Sequence, residues 1–67
     1  MNKFEKACIK ERLIKLCRLR STGTPAQLAA KFEISERTVK RIIRELREEG
    51  EELRYDYNSV SYIYEKN

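Results

Sequence analysis

"ISERTVKRIIRELREEG", residues 34–50, describes a helix with two unlike faces. On a 3.6-residue period Val39, Ile42, Ile43 and Leu46 cluster within about one quadrant or slightly more. Arg37, Lys40, Arg41 and Arg44 lie roughly opposite them. Ser35 stands at the N-cap, its hydroxyl placed to accept from the backbone N–H of Arg37 or Thr38. Gly50 closes the helix as its C′ residue. The expected span is about 36–49. A solvated helix usually mixes its charges, whereas this one gathers four cations and then turns acidic.

Upstream, Thr24 is a good N-cap, Pro25 suits the first helical position, and Gln27 completes a capping box. A helix over about 25–32 follows, with Leu28, Ala29 and Phe32 as its apolar face. Glu33 and Ile34 form the break before Ser35. Earlier still, Ile9, Leu13, Leu16 and Cys17 recur at helical spacing, predicting a helix over about 3–20. Phe4, Ala7 and Ile14 fall largely outside that stripe and suggest a second, weaker apolar surface. "RSTGT", residues 20–24, ends this helix, with Gly23 as the breaker.

Downstream, "EELRYDYNSVSYIYEKN" changes period from 3.6 to 2. A two-residue turn at Asn58–Ser59 would pair Tyr57 with Val60, Tyr55 with Tyr62 and Leu53 with Tyr64. Each pair is apolar or aromatic on one face, as a half-buried hairpin over about 52–65 requires. Asn-Ser is a weaker turn signal than Asn-Gly, so the loop could run a residue or two longer.

The bulk numbers exclude several classes. The chain has 67 residues, of which 40% are apolar and 39% charged. That is one small domain, 1–67, and ordinary helical composition rather than disorder. No apolar run approaches the roughly 20 residues a membrane span needs. The charged N-terminus has no signal-peptide core, so a cytoplasmic location is expected. Cys8 and Cys17 lie about 13 Å apart on one helix, beyond the reach of a disulfide. With no His in the chain they form no zinc site either. No metal, cofactor, small-molecule site or catalytic residue is expected, since no nucleophile has a base beside it and no Gly-rich phosphate loop exists. The net charge of +4 is uneven. Residues 1–44 carry twelve Lys or Arg against four acids, and residues 45–67 carry three against seven. Such confinement suggests a polyanion-facing surface.

A short capped helix, a tight turn and a longer capped helix make a helix-turn-helix. The expected fold is therefore mainly α: a three-helix helix-turn-helix core with a C-terminal two-stranded wing. Here the chain resembles the N-terminal winged helix of DeoR-like bacterial transcriptional regulators, and most closely the version that precedes WYL effector domains. The resemblance rests on Leu28–Ala29, Ile34–Ser35, Arg37–Thr38–Val39, Arg41, Ile43, Leu46, Arg47–Glu48 and Gly50, then Tyr55–Asp56 and Tyr62 in the wing. It implies that Ser35 caps the recognition helix, Arg37 and Thr38 approach bases or nearby phosphates, and Arg41 holds the backbone.

The residue chemistry agrees. A guanidinium in the first turn, as at Arg37, can make two bonds to guanine O6 and N7. Lys40, Arg41 and Arg44 would neutralise phosphates and release counterions. Thr24 and Gln27 could add phosphate contacts, although plain capping accounts for both. Glu36 replaces a common Arg; it suits the helix dipole and could accept from cytosine N4. Ile42 stands where the family usually has an acid, either as extra core or as an exposed spot for a protein contact. Asn58 and Ser59 are the polar groups at the wing tip, and the acidic approach "EEGEE", residues 48–52, repels phosphate.

The expected function is sequence-specific binding of double-stranded DNA by a small transcriptional regulator. Useful affinity from one module would usually need a homodimer. An accessory DNA-binding protein of a mobile element, or a piece of a longer regulator, fits the same residues. The competing reading is a winged-helix protein–protein module. A third, a single-stranded or RNA binder, requires exposed tyrosines.

Overall fold

Asn2 starts the first helix by accepting from the Glu5 N–H at 2.8 Å. The computed structural model describes residues 2–65. They form α1 (Lys3–Arg18), α2 (Pro25–Phe32), α3 (Glu36–Glu48), β1 (Leu53–Asp56) and β2 (Ser61–Tyr64). The strands pair antiparallel as a two-stranded wing. This is a winged helix-turn-helix.

Local chemistry sets both ends of the helices. Thr24 accepts from the Gln27 N–H while the Gln27 side chain accepts from the Thr24 N–H, the reciprocal capping box. Ser35 accepts from the Thr38 N–H at 3.1 Å. All three helices close on a left-handed residue whose own N–H, together with that of the next residue, bonds back to carbonyls of the last turns. Only α3 uses glycine for it, at Gly50. The α1 stop is Arg20, at φ +54°, so that helix ends two residues early and Gly23 is not its breaker. Gly23 is needed for the loop instead: its φ is +75°, and a Cβ there would lie 2.4 Å from the Gln27 Oε1.

Leu13 and Cys17 from α1, Leu28 and Ala29 from α2, and Val39, Ile42, Ile43 and Leu46 from α3 form the core, with Leu53 and Tyr62 from the wing. Ile42 is 1% exposed, so it is packing and not a surface spot. Ile14 packs partly buried against the core, which leaves Phe4 as the main apolar exposure on α1. Burial pushes the Cys17 thiol up to about 12.

The wing keeps the expected strand register, with Leu53 opposite Tyr64 and Tyr55 opposite Tyr62. Its turn is longer. Asp56 and Ser61 close it, and the four residues between them lie outside the ladder. The Asp56 carboxylate accepts from the Ser59 hydroxyl at 2.7 Å and from the Asn58 and Ser59 N–H groups. Val60 takes φ +51°. Tyr57 consequently leaves the core face: it is 84% exposed, its ring held edge-on to Tyr55 at 4.9 Å. Ile63, expected on the outer face, is buried.

Thr22 ties the α1–α2 loop to the wing. Its hydroxyl accepts from the Tyr62 N–H at 2.7 Å, and its own N–H donates to the Ser61 Oγ at 3.0 Å. The Thr22 and Ser61 hydroxyls also lie 2.9 Å apart, and both are buried. One threonine thus covers the edge of β2 that faces away from β1. Arg18 adds a second tie, its guanidinium 4.9 Å over the Tyr64 ring.

Candidate nucleic-acid interface

The outward face of α3 is set by what its inward face must bury. At about 100° per residue, Lys40, Arg44, Arg37 and Arg41 span an arc of about 100° opposite the four buried aliphatics. All four cations are exposed. Arg37, Lys40 and Arg41 have no ion-pair partner among the described residues. Arg44 lies 3.5 Å from Glu48 one turn on, with both side chains largely in solvent. An exposed i,i+4 pair of this kind contributes little and yields easily to a phosphate.

The acids of α3 lie mostly elsewhere. Glu45 faces α1, where Lys6 reaches it at 2.7 Å and Lys10 at 3.4 Å. Lys10 also holds Glu49. The hydrogen bond from Lys6 keeps the Glu45 carboxyl below its usual range, although partial burial opposes it. Two α1 lysines are thereby spent on structure, and two glutamates are turned away from the cationic ridge. Arg47 is structural too, donating from Nε to the Leu53 carbonyl at 2.8 Å.

The remaining residues divide. Glu36 is exposed in the first turn of α3. Thr38 is half-buried, its hydroxyl 2.9 Å from that of Ser35, and it lines a recess of about 300 Å³ with Lys6, Arg41 and Ile42. Ser35 and Thr38 therefore sit at the flank of the ridge rather than on its crest. Thr24 and Gln27 are engaged with each other, though the Gln27 amide nitrogen is left outward of that box. Ser59 is committed to Asp56, whose carboxyl that hydroxyl holds below its usual range. Tyr57, Asn58 and Val60 are the exposed residues of the wing tip. Lys6 beside Arg41 had no signal in the sequence, because it follows from packing between distant segments, and the exposure of Tyr57 follows from the longer turn that Asp56 closes.

Among the described residues no helix is long and apolar enough to cross a membrane, and no group of side chains could hold a metal ion. A helix-turn-helix domain family model matches residues 9–56, which run from the middle of α1 through α2 and α3 to the end of β1. No curated protein and no solved structure matches the chain.

Proposed function

The chain belongs to the helix-turn-helix domain family, and from that membership we propose that it reads double-stranded DNA with α3 in the major groove. One observation carries this reading: Arg37, Lys40, Arg41 and Arg44 stand outward on one face while Glu45 and Glu49 are paired with the α1 lysines Lys6 and Lys10. In this reading Arg37 addresses base edges from the first helical turn, and Lys40, Arg41 and Arg44 meet phosphates. Ser35, Glu36 and Thr38 frame the helix start, and Thr24 and Gln27 approach the backbone from α2. At the wing, Asn58 is the available polar contact, since Ser59 serves the turn. Transcriptional regulation in a bacterial cytoplasm, by a protein of the DeoR-like, WYL-associated type, belongs to the same proposal. It is supported by the Leu28–Ala29, Ile34–Ser35 and Arg37–Thr38–Val39 pattern. Two copies on half-sites about one helical turn apart would raise affinity and read a palindrome.

The protein–protein alternative loses one of its supports, because Ile42 is core. Selection on random duplex DNA tests the reading, followed by titration of the selected site in rising salt. Arg37→Ala is expected to relax sequence preference at one position as well as weaken binding; equal weakening on every sequence would contradict base reading. Arg44→Ala is expected to weaken all sequences alike and reduce the salt slope by about one. Absence of binding to any duplex at low salt would overturn the proposal.

A further inference from the structure

Lys6 and Arg41 stand far apart in the sequence, yet both line the recess of about 300 Å³ beside Thr38 and the buried Ile42. Round α3, at about 100° per residue, Arg41 is the last cation of the ridge on this side; Glu45 and then Thr38 follow it toward α1. The recess therefore lies between the edge of the ridge and α1. Its groups suit a phosphate. Arg41 has no ion-pair partner among the described residues. The Ser35 hydroxyl accepts from the Thr38 N–H at 3.1 Å and lies 2.9 Å from the Thr38 Oγ1. When Ser35 donates to Thr38, the Thr38 proton is free to point into the recess. A guanidinium, an ammonium and a hydroxyl together form a donor set for a tetrahedral oxyanion.

Lys6 bonds Glu45 at 2.7 Å in the free chain, with its side chain 39% exposed. Lys10 holds the same carboxylate at 3.4 Å, is only 19% exposed, and holds Glu49 as well. Lys6 can therefore leave Glu45 without unfastening α1 from α3. We infer that the recess seats one phosphate of the duplex backbone, with Lys6 exchanging Glu45 for it while Arg41 and Thr38 bind from α3. The inference rests on the reading in which α3 enters the major groove. A helix with its side chains is about 10–12 Å across, close to the roughly 12 Å width of that groove. The flanks of α3 thus face the phosphate walls, and the flank toward α1 holds the recess. Lys6 becomes a DNA contact contributed by α1, and Glu45 becomes its internal competitor.

Salt titrations of duplex binding with single and double variants test the exchange. Lys6→Gln should reduce the salt slope by about one, with the fold kept by Lys10. Lys10→Gln removes a tie to the same glutamate but lines no recess, so it should leave the slope unchanged. Glu45→Gln should tighten binding severalfold by releasing Lys6, and that gain should vanish in the Lys6→Gln background. A gain that survives there would be simple removal of a nearby negative charge, and it overturns the proposal. So does a slope that ignores Lys6→Gln, or one that falls equally with Lys10→Gln; in each of these cases the DNA reading stands. If no duplex binds, the DNA reading falls, and titration with inorganic phosphate decides the recess by itself. Amide shifts confined to Lys6, Thr38 and Arg41 would keep it as a seat for a free phosphate group, and their absence would overturn it.

Discussion

Glu33 turns the chain from α2 into α3 with φ +56°, a conformation that costs an L-residue with a side chain about 1–2 kcal/mol. Its N–H and that of Ile34 still bond back to Ala30 and Ala29, so the turn itself is sound. Glu33→Gly is expected to raise stability by about 0.5–1 kcal/mol, the relief of strain less the entropy glycine adds to the unfolded chain. A thermal melt that moves down instead would show that the Glu33 side chain earns its place. Thr22 is the opposite case, a small side chain with several duties. Thr22→Val keeps the shape but leaves the buried Tyr62 N–H without its acceptor. A loss of about 1–3 kcal/mol in chemical denaturation is expected; a neutral result would mean the wing finds another acceptor. Nothing in "RSTGT" announced this role, because the partners Ser61 and Tyr62 are some forty residues away.

At the scale of the element, α3 was legible almost residue by residue. Its cap, buried stripe and glycine stop all obey rules that operate within a few residues. Ser35→Ala removes an acceptor for the Thr38 N–H and is expected to cost about 1 kcal/mol; an unmoved melting temperature would place the helix start elsewhere. The wing was legible in register but not at its tip. Alternation predicted the pairing of Leu53 with Tyr64 and Tyr55 with Tyr62. The four-residue turn depends on the Asp56 carboxylate gathering donors from Asn58 and Ser59. Once that turn forms, Tyr57 cannot face the core. The stop of α1 was misplaced for a related reason: glycine is the usual left-handed residue, yet here Arg20 accepts the strain and Gly23 relieves a contact with Gln27.

Across the whole molecule, the charges sort by neighbour rather than by position in the chain. Lys6 and Lys10 belong to the basic stretch of sequence, yet they pair with Glu45 and Glu49 and fasten α1 to α3. Glu45 is held below its ordinary value of 4.5, chiefly by the hydrogen bond from Lys6. A depressed carboxylate contributes stability that is present above its unfolded value and is lost as pH falls through the folded one. The melting temperature of the wild type is therefore expected to fall on acidification below about 4.5, and Glu45→Gln should flatten that decline. Parallel curves for the two proteins would show that other carboxylates dominate. The radius of gyration, 10.8 Å, is what a fully packed chain of this length has, so these ties act on a closed core. The amino-acid sequence alone determined the helix caps, the buried stripes, the strand pairing and the cationic ridge, because each arises from side chains within a turn or a hairpin of one another. Tertiary structure alone decided which lysines stay free, how Thr22 seals the wing and that Phe4 borders a groove reaching the α2–α3 turn. Those outcomes depend on surfaces brought together from opposite ends of the chain, and no local period encodes that meeting.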